Sequence, residues 1–113
     1  MTSLNHLKDG IDASLTEWVK QSEERVVVLV FTADWAGSVF MFIGALEALE
    51  EKMAGRIRVV TVDVDTHPVA ARMFNVNRIP TTVFLRNREV VDMIPGTAPR
   101  NKLAARITTI LEG

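Results

Sequence analysis

The chain of 113 residues contains no cysteine. That absence excludes disulfide bonds, zinc–thiolate centres and thiol nucleophiles, and it removes the usual reading of redox compartment from cysteine usage. An excess of one charge is also missing. Thirteen Lys and Arg stand against fourteen Asp and Glu, for a formal net charge of −1 and a pI of about 6.1. Nucleic-acid binders and proteins that sit on anionic membranes are usually basic, so neither nucleic acid nor membrane is expected as a partner. Long apolar runs are missing too. Val26 to Phe31 is the longest, far too short to span a bilayer. The opening residues, M-T-S-L-N-H-L-K-D-G, lack the layout of a secretory signal, and a cytoplasmic location is the expectation. Internal repeats, linkers and low-complexity stretches are absent.

What is present is a chain with 48% hydrophobic residues, enough to build one core without staples. Residues 1–113 read as a single domain, with 1–11 as a looser N-terminal segment. Leu15, Trp18 and Val19 fall at helical spacing, predicting a helix over about 12–22. Val26 to Phe31 is an unbroken, mostly β-branched run of the kind buried on both faces of a sheet. A small-residue loop around Trp35 follows. Phe42, Ile43, Leu46, Leu49 and Met53 then make a helical stripe that ends at Gly55. A second strand is predicted over 57–64. A short helix follows, capped by Asp65 or Thr66 with Pro68 in its first turn. Thr81 to Leu85 and Val90 to Ile94 read as a hairpin joined through Arg86, Asn87, Arg88 and Glu89. A last helix spans 99–111. The fold class is α/β. The helices between early strands predict three parallel strands, the hairpin predicts a late antiparallel pair, and helices flank the mixed sheet on both faces.

This order, and four motifs in sequence, resemble the thioredoxin family from about residue 12 onward. They are V-L-V-F-T-A-D-W, V-D-V-D-T-H-P, R-I-P-T-T-V-F-L and P-G-T. The resemblance implies a thioredoxin-like fold and makes Pro80 a cis-proline. The residues alone favour an ordinary trans-proline opening a strand, because cis X–Pro bonds are uncommon.

In the family, the Trp is followed by Cys-Gly-Pro-Cys. Here Trp35 is followed by Ala36, Gly37, Ser38 and Val39. Exchange begins when a thiolate attacks a disulfide, and a second thiol resolves the mixed disulfide. Neither Ala36 nor Val39 can take those parts, so thiol–disulfide oxidoreductase activity is excluded. The family's buried Asp falls on Val30, and its Lys partner on Thr61. Without a thiol to serve, a buried unpaired carboxylate is only a cost. Laboratory removal of cysteines accounts for Ala36 more readily than for Val39, Val30 and Thr61 together, so natural loss is favoured.

The resemblance also implies a groove in which a polypeptide lies as an extended strand. The matching positions are Trp35, Phe40, Ile79, Pro80, Pro95 and Gly96. The expected function is a cysteine-free, redox-inactive module that binds a polypeptide partner through that groove and needs no cofactor. Three alternatives stand beside it. One is a glutathione or small-ligand site using Ser38 near a helix N-terminus, although Ser there reads more simply as an N-cap. Another is a homodimeric structural subunit. The third is a thioredoxin of cell redox homeostasis whose cysteines were removed. No metal site is expected. His6 and His67 are far apart, and Asp63 with Asp65 alone make a poor ligand set. Arg86, Arg88, Arg100 and Lys102, diluted by Glu89 and Asp92, read as a solvated face.

Overall fold

The structure, a computed structural model, describes residues 2–3, 13–36 and 39–113. Strand β2 (Val26–Thr32) serves two cores at once, and its composition follows from that. Side chains alternate across a strand. Val27, Leu29 and Phe31 join Leu15, Trp18 and Val19 of helix α1 (Ala13–Gln21) and Ala70 of helix α3 (Pro68–Met73). Val26, Val28 and Val30 join Phe42, Leu46 and Leu49 of helix α2 (Phe40–Lys52) and Leu103 and Ile107 of helix α4 (Arg100–Glu112). A polar side chain at any of these six strand positions would be buried, and Val26 to Phe31 are all 1% exposed or less.

The remaining strands are β1 (Thr2–Ser3), β3 (Ile57–Asp63), β4 (Thr81–Arg86) and β5 (Glu89–Pro95). They form one five-stranded sheet in the order β1-β5-β4-β2-β3. The mixed sheet with helices on both faces is as expected, with one correction. β2 and β3 form the sole parallel pair among the described residues, and β4 runs antiparallel to β2. The reason is helix length. The 13 residues of α2 carry the chain back about 20 Å at 1.5 Å per residue, so β3 starts at the same end as β2. The six residues of α3 cover only about 9 Å. The chain therefore enters β4 near the end where β3 finished.

Two local expectations also shift. The N-cap of α3 is His67, not Asp65 or Thr66. The Asp65 N–H and the Thr66 hydroxyl instead bond back to Asp63, so these residues build the turn before the helix. The β4–β5 loop has two residues, Asn87 and Arg88, both at positive φ (52° and 65°). Short loops of that kind match the twist of paired strands. Ser22 holds this one from below: its carbonyl accepts the Asn87 N–H (2.7 Å) and its hydroxyl the Arg88 N–H (2.9 Å). Most of the expected N-terminal segment lies outside the described residues. Thr2 and Ser3 pair with Val90 and Glu89 at the edge of the sheet.

Candidate functional site

Register puts one end of the sheet together: Phe31 lies opposite Thr81, and Thr81 opposite Pro95. The loops that leave or enter the strands there converge on a cleft of about 620 Å³. The loop after β2 contributes Trp35, Ala36 and Val39. The segment before β4 contributes Arg78, Ile79 and Pro80. Pro95, Gly96 and Thr97 close the far wall.

Each wall is fixed locally. The Ala36 N–H donates to the Ala33 carbonyl (3.0 Å), and the Val39 N–H to the Ala36 carbonyl (3.3 Å). These successive turns leave the Trp35 side chain 69% exposed. The Ile79–Pro80 peptide bond is cis, as the resemblance implied and the residues alone did not. The Thr81 hydroxyl donates to the Arg78 carbonyl (2.6 Å), which pins the segment before the strand. The Gly96 N–H donates to the Pro80 carbonyl (2.7 Å) and joins the two walls. Gly96 holds a φ of +81°, a conformation that costs glycine little and other residues more.

Among the described residues, neither the N–H nor the carbonyl of Ile79 makes a hydrogen bond. Buried or half-buried backbone groups are nearly always paired. Here a backbone donor and acceptor are left open beside the cleft, in the bend just before β4.

Of the expected groove residues, Trp35, Ile79, Pro80, Pro95 and Gly96 line the cleft together, with Ala36 and Val39 of the motif. Phe40 does not line it. It is the first residue of α2, and successive helical residues turn by about 100°. With Val39 facing the cleft, Phe40 faces away and is 70% exposed, followed by Met41 at 77%. Gly37 and Ser38 lie outside the described residues. The N-cap of α2 is Val39, with no side-chain hydrogen bond; the roles expected of Ser38 fall on a residue outside those described. Sequence reasoning passed over Arg78 and Thr97. Arg78 sits within the R-I-P-T-T segment, one place before Ile79, but its approach to the cleft depends on a loop some eighteen residues later, as P-G-T in the sequence stands.

The chemistry on offer is narrow. Among the described residues, no carboxylate, imidazole or thiol lines the cleft, and Thr97 carries its hydroxyl there with no basic side chain but Arg78 in the lining. Val30 and Thr61, which stand where the resemblance places a buried Asp and its Lys, lie directly opposite each other on β2 and β3. Val30 is fully buried. Among the described residues no group of His, Asp or Glu is arranged to hold a metal ion, and no helix is long and apolar enough to cross a membrane. A smaller cleft of about 280 Å³ at the opposite end of the sheet, near Ser22, Arg56 and Arg86, contains none of the motif residues.

The Thioredoxin family model matches residues 8–109. Thioredoxin of Synechocystis sp. is 31% identical over 100 residues, covering 88% of this chain and 92% of that protein. Thioredoxin of Bacillus subtilis is 34% identical over 83 residues, covering 74% of this chain and 80% of that one. The X-ray structure of Fasciola hepatica thioredoxin superposes with a TM-score of 0.76 at 30% identity, over 86% of this chain and 91% of that chain. With a family model matched over residues 8–109 and relatives above 30% identity over most of both chains, the chain belongs to the thioredoxin family, as a member without a cysteine.

Proposed function

We propose that this protein is a redox-inactive member of its family that binds an extended segment of another polypeptide in the Trp35–Ile79–Gly96 cleft, as an adaptor or protein-binding module. The observation that carries this reading is the open backbone pair of Ile79 beside an exposed Trp35. An added strand satisfies both groups of Ile79, and such pairing needs no thiol. Each hydrogen bond of this kind is worth about 0.5–1.5 kcal/mol net. Covering Trp35 adds apolar burial, and tryptophan is a frequent anchor at interfaces. With Ala36 and Val39 where a thiolate would attack, the site can hold a chain but cannot exchange a disulfide with it.

The test is affinity capture from an extract of the source cells with two baits. One is the wild-type domain. The other is a Trp35→Ala, Ile79→Asp double variant whose fold is checked by circular dichroism. Proteins held by the wild type at least tenfold better than by the variant support the cleft as the binding site. Equal capture by both rejects it.

A further inference from the structure

We propose that Arg78 makes this cleft selective for an acidic segment: an extended peptide with an Asp or Glu one or two residues from the residue that pairs with Ile79. This rests on the reading of the cleft as a peptide groove and names the chemistry of what it takes.

Among the described residues, Arg78 is the one charged side chain that lines the cleft. Among the described residues its side chain has no ion-pair or hydrogen-bond partner. Asp34, beside Trp35 in the sequence, does not line the cleft and forms no ion pair with Arg78. The Arg78 side chain lies on the Gly96 side of the cleft: a Cβ on Gly96 would meet its Cδ at 3.9 Å and its Nε at 4.0 Å, ordinary van der Waals contact.

The rest of the lining makes a carboxylate the fitting partner. Trp35, Val39, Ile79, Pro80 and Pro95 line the same cleft and offer apolar surface beside the arginine, while Arg78 itself stays exposed to solvent, where an ion pair is salt-sensitive. A guanidinium offers parallel donors that match the two oxygens of a carboxylate. An extended chain advances about 3.3 Å per residue. A side chain one or two places from the Ile79 partner therefore falls about 3–7 Å along the groove, within reach of the neighbouring arginine. A basic segment in the same place would meet an unpaired cation.

Random heptapeptides displayed on phage and selected against the whole chain test this. Selected peptides are then measured on the wild type, on Arg78→Glu and on the Trp35→Ala, Ile79→Asp double variant, each with its thermal melt recorded. Peptides selected by the wild type are expected to carry Asp or Glu at one fixed place and to fail on the double variant. They should weaken about tenfold on Arg78→Glu, where like charges now face each other. Reselection on Arg78→Glu should bring Lys or Arg to the same place. Binding to the wild type should fall as salt is raised. Peptides that need Trp35 and Ile79 but show no acidic preference, or bind Arg78→Glu unchanged, overturn the role of Arg78 and leave the groove standing. Peptides that bind the double variant as well as the wild type overturn the groove itself, and the inference with it.

Discussion

Thr81 and Thr82 are neighbours in β4, both buried, and the same substitution at each is expected to move stability in opposite directions. The Thr81 hydroxyl donates to the Arg78 carbonyl at 2.6 Å. The Thr82 Oγ1 is buried with no hydrogen-bond partner. Its register partners are Val30 on β2 and Ile94 on β5, both apolar and buried. Val replaces Thr with nearly the same shape and the same β-branch, so strand preference and rotamer freedom change little at either site. What remains is the hydroxyl. A buried polar group left unpaired costs about 1–3 kcal/mol, and part of that is recovered when Thr82→Val removes it, about 1–2 kcal/mol. Thr81→Val removes a made hydrogen bond worth about 1 kcal/mol. Unfolding entropy of about 2.1 cal/mol/K per residue gives roughly 4 °C per kcal/mol for a chain of this length. Thr82→Val is therefore expected to raise Tm by about 4–8 °C, and Thr81→Val to lower it by about 4 °C. Urea unfolding should show the same signs at an unchanged m value. A Thr82→Val protein about 1 kcal/mol less stable than the wild type would mean that the hydroxyl has a partner, and the reasoning fails.

Ser22→Ala is expected to cost about 1–3 kcal/mol, because it removes the acceptor of the Arg88 N–H and a donor to the Val19 carbonyl; faster amide exchange at Arg88 should accompany a lower Tm, and an unchanged Tm refutes it. Ala36→Cys with Val39→Cys is expected to close a disulfide on oxidation. The Val39 N–H to Ala36 carbonyl bond marks a turn whose ends lie within about 7 Å, inside the range a disulfide spans. Loop closure over so few residues should stabilise the oxidised form by about 2 kcal/mol over the reduced one. Thiol titration and paired denaturation curves read both effects, and two free thiols after oxidation would refute the turn geometry.

The elements that sequence pattern alone located are those whose burial is dictated strand by strand or turn by turn. β2 was legible because a strand between two cores has no position for a polar residue. α2 and α4 were legible because their apolar residues repeat at helical spacing toward the sheet. The hairpin is legible, but its polar stretch from Arg86 to Glu89 marks a four-residue connection where the structure has two, with Arg86 and Glu89 in the strands. Arg88 at positive φ carries no sequence signal, and the Ser22 contacts that hold it come from residues far away in the chain. The direction of β4 is not legible for a related reason. Alternating elements suggest crossovers, but the length of α3 against the length of the strands sets which end of the sheet the chain re-enters.

At the site, composition was decisive for what the protein cannot do. Thiol chemistry requires sulfur, and its absence holds in any fold. The Trp35 and Ile79–Pro80 segments were also visible, as local motifs. What only the tertiary structure decided is which side chains share the cleft. Phe40 leaves it because one helical step turns it away from Val39, and Arg78 shares it with Gly96 because the loop after β5 returns to the same end of the sheet. Hydrophobic pattern and turn geometry constrain the register of neighbouring strands, but which loops then converge depends on closure over long sequence separations, which no local segment encodes.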